Sequence, residues 1–65
     1  MFRMMYKSTG FSPAFMEEVR DKEEFFRHRE LLATGMGLTT ELVNDKLFLF
    51  DKGKEFGVYY VEKGK

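Results

Sequence analysis

His28 is the only histidine of the chain and the first candidate for chemistry. Glu24 lies four residues before it, so the two side chains share one face of a helix and can pair. A catalytic or metal-binding histidine needs further partners, such as a positioned acid or at least two more ligands. The chain has no cysteine and no second histidine to supply them. We therefore predict no catalytic residue, no metal and no cofactor at His28.

A dense run of carboxylates around this histidine is the second candidate. Paired carboxylates act as acid and base when burial separates their pKa values. Here basic residues are interleaved with the acidic ones, which is typical of a solvated, salt-bridged helix surface. The acidic set is Glu17, Glu18, Asp21, Glu23 and Glu24, and the basic set is Arg20, Lys22, Arg27 and Arg29. The pattern indicates a protein that is not an enzyme.

The segment Lys7, Ser8, Thr9, Gly10 is a candidate anion site, because it precedes a predicted helix start and free backbone N–H groups there can bind phosphate. The spacing of a nucleotide-binding P-loop is absent. The alternative is a simple connection from a strand to a helix, for which serine, threonine and glycine are common residues.

The composition predicts one small domain over residues 1–65. Eight Phe, three Tyr and five Met supply enough apolar surface for a core, and the 11 basic residues balance the 11 acidic ones. No apolar run approaches the ~18 residues of a membrane span. The charged N-terminal residues do not form a signal peptide, so we expect a cytoplasmic protein that does not bind membranes. A short, compact chain of this kind also suits a phage or mobile-element product.

The first half of the chain is predicted to form a strand and then a helical segment. Alternation over Phe2–Lys7 predicts the strand. Ser12 followed by Pro13 predicts a helix start, and the helix should reach Ala33 or Thr34 before two glycines. A break near Asp21 is equally compatible, because Asp21 to Glu24 has the spacing of a capping box. In either case the predicted core residues are Phe15, Val19 and Phe26.

The second half is predicted to be a three-stranded antiparallel meander. The strands cover Thr39–Val43, Lys46–Phe50 and Phe56–Val61, and a polar tail follows from Glu62 to Lys65. If the first strand joins the same sheet, the fold class is α+β, with the helical segment packed on one face of a four-stranded sheet.

The last two strands are apolar on both faces, which an antiparallel sheet with one solvated face is not. One helical layer covers only one face, so the other face should bind a macromolecule. The alternative is that a kinked helical hairpin covers both faces, or that the sheet curls on itself. The predicted interface consists of Phe48, Phe50, Tyr59 and Val61, or alternatively of Leu47, Leu49 and Tyr60.

Two functional hypotheses follow from the exposed face. The first is a non-enzymatic interaction protein, such as a modulator of a larger enzyme, which forms a homodimer or binds a protein partner. The second is a nucleic-acid-binding module in which lysines surround aromatic side chains, although zero net charge disfavours it. The residues of that basic-aromatic surface are Arg3, Lys7, Lys46, Lys52, Lys54, Tyr6, Phe48 and Tyr59.

Overall fold

Five antiparallel strands form one sheet in the order β2-β1-β5-β4-β3, and a single helix packs on one face. The computed structural model describes residues 1–62, so most of the predicted polar tail lies outside the described residues. The elements are β1 (Phe2–Ser8), β2 (Ala14–Val19), α1 (Lys22–Gly35), β3 (Thr39–Val43), β4 (Lys46–Asp51) and β5 (Lys54–Val61). The α+β class is confirmed, with five strands instead of four.

The meander formed by β3, β4 and β5 is confirmed, and both of its turns have two central residues with positive φ. These are Asn44 (50°) and Asp45 (62°) in the first turn and Lys52 (54°) and Gly53 (84°) in the second. Positive φ at both positions defines the type I′ turn, whose twist matches that of a two-stranded ribbon.

The prediction of a helix from Ser12 onward was wrong, because residues 14–19 form β2 at the edge of the sheet beside β1. The helix begins at Lys22, where the predicted break near Asp21 placed it. The Asp21 carboxylate accepts hydrogen bonds from the backbone N–H groups of Glu23 (3.0 Å) and Glu24 (3.1 Å). Asp21 is therefore the helix N-cap, and Ser12 is not.

The core lies between α1 and the sheet. Met4, Phe26 and Leu47 are almost fully buried, with 0%, 2% and 1% of their surface exposed. The predicted core residue Phe26 is confirmed, and Val19 is half-buried against the same cluster. Phe15 is 48% exposed and lies opposite Met5 on the other face of the sheet, so its assignment to the core was wrong.

A β-bulge sets which side chains of β5 face the helix. Leu47 pairs with Tyr59 and Leu49 pairs with Gly57, but Phe50 pairs with Glu55, so one extra residue, Phe56, lies in β5. A shift of one residue moves every later side chain to the opposite face of the sheet.

As a result, Tyr59 and Val61 pack toward the helix, together with Leu47 and Leu49. Val58 and Tyr60 point to the other face, together with Phe48. The predicted sets were therefore grouped incorrectly, since Tyr59 and Val61 do not share a face with Phe48 and Phe50.

Candidate interaction surface

The sheet face opposite α1, here called the open face, is not covered by any element within residues 1–62. Its apolar side chains come from all five strands, and its charged side chains come mostly from the strands on either side of β5. The apolar set is Met5, Phe15, Val43, Phe48, Phe50, Val58 and Tyr60, and the charged set is Arg3, Glu18, Lys7, Lys46 and Glu41.

Two rows of paired residues cross the middle of the open face. In one row, Met5 of β1 lies beside Tyr60 of β5, which lies beside Lys46 of β4. In the next row, Lys7 is followed by Val58, Phe48 and Glu41. The first row continues to Phe15 on one side and to Val43 on the other, so its charge, Lys46, lies inside the row, whereas the second row has the charged residues Lys7 and Glu41 on either side of an apolar centre.

The apolar side chains of the open face bury one another only in part, so part of their surface is exposed to solvent. Met5 is only 9% exposed although no helix covers it, because it is flanked by Phe15 and Tyr60 in neighbouring strands. Phe48, Phe50, Val58 and Tyr60 are half-buried. A face of this kind gains stability when a further surface covers it.

Arg3 lies at one edge of the open face. Its guanidinium lies 4.3 Å from the centre of the Phe15 ring and forms salt bridges with Glu18 and Glu62. The hydrogen bond to Glu62 stabilises the charged form and raises the pKa of Arg3 above its ordinary value. Arg3 is therefore a permanent cation whose charge is balanced by carboxylates of the same domain.

The structure separates the residues of the predicted basic-aromatic surface. Tyr6 and Tyr59 face the helix and pack against each other, with ring centres 4.7 Å apart. Lys7, Lys46 and Phe48 remain together on the open face. Lys52 and Lys54 are exposed at the β4–β5 turn.

The basis of the predicted anion site is absent, because the segment after Lys7 leads into β2 and not into a helix. The donors of Thr9 are also occupied. Its backbone N–H donates to the carbonyl oxygen of Phe56 (3.3 Å), and its hydroxyl donates to that of Glu55 (3.1 Å). Ser8, Thr9 and Gly10 therefore connect β1 to β2 and attach this loop to β5.

His28 is exposed on α1 and lines a groove of about 440 Å³ between the helix and β2. Glu17, Arg20 and Glu24 line the same groove, so its charges are mixed. In the described part of the chain, no three His, Asp or Glu side chains lie close enough together to hold a metal ion.

Met5, Phe15 and Val58 are members of the open face that the sequence-based prediction did not include. The alternation of β1 already placed Met5 on the face opposite Met4. Phe15 and Val58 depend on the pairing of β2 and β5, and both of those strands contain a bulge.

Comparison of the chain with protein-family models, with curated proteins and with solved structures finds no significant match in any of the three. Within residues 1–62, the single helix is too short and too polar to cross a membrane.

Proposed function

We propose that this protein is a small non-enzymatic interaction protein, which binds a second copy of itself or another protein through the open face. The observation that supports the proposal is the apolar centre of this face, where Tyr60 and Val58 lie on the middle strand. Charged residues surround that centre on the neighbouring strands. Specific protein interfaces have the same arrangement of an apolar centre and a polar rim.

The free energy available from covering the open face is large enough for binding. Burial of ~500 Å² of apolar surface contributes about 12 kcal/mol at 25 cal/mol per Å², before the cost of association is subtracted. The face opposite is already covered by α1, through Phe25 and Phe26. The open face has no equivalent cover among the described residues.

A second candidate function is binding of single-stranded nucleic acid. Lys46 lies beside Tyr60, and Lys7 lies in the same row as Phe48, so two cations accompany aromatic side chains on which bases can stack. The zero net charge and the pairing of Arg3 with carboxylates favour the protein partner over this alternative.

Affinity capture from the source cell with matched variants tests the proposal. Tyr60→Lys places a charge at the centre of the open face, whereas Leu31→Lys changes a helix residue that is 64% exposed and lies on the opposite side. We expect wild type and Leu31→Lys to retain the same protein, and Tyr60→Lys to lose it. Retention by all three proteins would contradict the use of the open face.

The salt dependence of binding distinguishes the two candidate functions. Binding to phosphates weakens steeply as the salt concentration rises, because counterions are released. Binding through an apolar centre depends weakly on salt. Capture of nucleic acid that is removed by moderate salt would favour the second candidate.

A further inference from the structure

The position of β5 determines where a symmetric partner can lie. β5 is the third of five strands and divides the open face into two halves. Its outward side chains at the centre, Val58 and Tyr60, are uncharged. Tyrosine at the centre of an interface is a frequent source of binding energy. A two-fold axis over β5 would place each of these side chains against its own copy.

The area of the open face fits a second copy. Five strands spaced ~4.8 Å apart and about six residues long cover roughly 24 by 20 Å, or about 480 Å² per copy. Two such faces together bury about 1,000 Å², which is at the lower limit for a biological interface. The buried area is therefore sufficient for a dimer only if most of the open face is in contact. A second copy has a face of the same size and can make this contact.

The charges of the open face are self-complementary. Lys7 on β1 and Glu41 on β3 belong to the same row, on opposite sides of β5. A two-fold axis over β5 and parallel to it keeps each row level and reverses the strand order, so β3 of one copy lies over the partner's β2. Glu41 then lies one strand spacing, ~4.8 Å, to the side of the partner's Lys7 on β1, and the two long side chains can pair. A face with charges of one sign would repel its own copy, and this face has both signs.

We infer that the open face binds the open face of a second copy about a two-fold axis close to parallel with β5. Tyr60 and Val58 form the centre of this dimer, and Lys7 and Glu41 form ion pairs at its rim. The inference rests on the proposed function and specifies the partner.

Sedimentation equilibrium at micromolar concentrations tests the dimer and its centre. Wild type is expected to have about twice the 7.7 kDa mass of one chain. Tyr60→Lys should raise the dissociation constant at least about tenfold, as loss of a central interface contact does. Leu31→Lys should leave the dissociation constant unchanged, and circular dichroism should show that both variants are folded.

Exchanging the charges of Lys7 and Glu41 tests the two-fold arrangement without changing Val58 and Tyr60 at the centre of the dimer. Lys7 and Glu41 are both exposed, so Lys7→Glu and Glu41→Lys are expected to fold. Each single variant should weaken the dimer about two- to fivefold, and the double variant should recover the affinity of wild type. Losses that add in the double variant would overturn this arrangement.

A wild type that stays monomeric at every concentration, or a Tyr60→Lys dimer as stable as wild type, would overturn the inference. The proposed function can still hold in the first case, if capture finds a different protein whose binding depends on Tyr60. Monomeric wild type that binds single-stranded nucleic acid would overturn both proposals.

Discussion

The two faces of the sheet have similar apolar residues and differ in what covers them. Leu47 and Phe48 are neighbours in β4, yet Leu47 is 1% exposed beneath α1 and Phe48 is half-buried on the open face. The difference arises from the helix, which places Phe25 and Phe26 on one face only. The composition of a strand therefore shows that both of its faces need cover, but not which face the domain covers itself.

The largest expected loss of stability comes from removing Phe26, through which the helix contacts the sheet. Phe26 is 2% exposed, so Phe26→Ala should lower the free energy of unfolding by about 3–5 kcal/mol. Phe48→Ala should cost about 1 kcal/mol in a dilute, monomeric sample, because Phe48 is only half-buried there. Denaturant unfolding of both variants measures the difference. Equal losses would show that the two faces are equivalent in the monomer.

A smaller effect is expected from Gly57→Ala, which tests how closely the helix face is packed. A Cβ atom at Gly57 would lie 2.3 Å from the Tyr6 hydroxyl and 2.7 Å from Cζ of the same ring. Tyr6 packs against Tyr59, so the ring has little room to move. We expect a loss of about 1–3 kcal/mol.

Gly35→Ala is the matched control for this substitution. No atom lies within 4 Å of the Cβ position at Gly35, and the residue is helical. The change should be neutral or stabilising by up to about 1 kcal/mol. If Gly57→Ala has the same melting temperature as wild type, Tyr6 moves aside and the helix face is less tightly packed than the contacts indicate.

The smallest of the three effects concerns the start of the helix that covers the core. Asp21→Ala removes the acceptor of two backbone N–H groups and should cost about 1 kcal/mol. Ser12→Ala should change stability by less than about 0.5 kcal/mol, because Ser12 is an exposed loop residue. Thermal unfolding followed by circular dichroism compares the two. A larger loss for Ser12→Ala would restore the original prediction of the helix start.

The sequence predicts the elements that depend on short-range signals. The bounds of β3, Thr39–Val43, agree with the prediction, because a turn-forming pair, Asn44 and Asp45, follows directly. The capping residue Asp21 was also found from its spacing to Glu24. Both features depend on residues that are close together in the chain.

Two of the errors in the prediction are connected with bulges. The extra residue Met16 in β2 interrupts the alternation, and the preceding Ser12-Pro13 pair imitates a helix start. The extra residue Phe56 in β5 reverses the faces of Tyr59 and Tyr60. Without that bulge, the β4–β5 turn would pair Phe48 with Gly57 and Lys46 with Tyr59, which is the grouping predicted. A bulge adds one unpaired residue without a change in residue type that marks it, so the alternation of apolar residues alone does not reveal it.

The central position of β5 also has a consequence for how the chain folds. β1 and β2 form a hairpin, β3, β4 and β5 form the meander, and the pairing of β5 with β1 joins the two in the sheet. The pairing of Met4 with Val61 connects distant parts of the chain, and closing such a loop costs more entropy than closing the turns of the hairpin or the meander. We expect the pairing of β5 with β1 to limit the folding rate, since non-local pairing slows folding. Because Val58 and Tyr60 belong to this strand, the open face becomes a continuous surface only when this last step is complete.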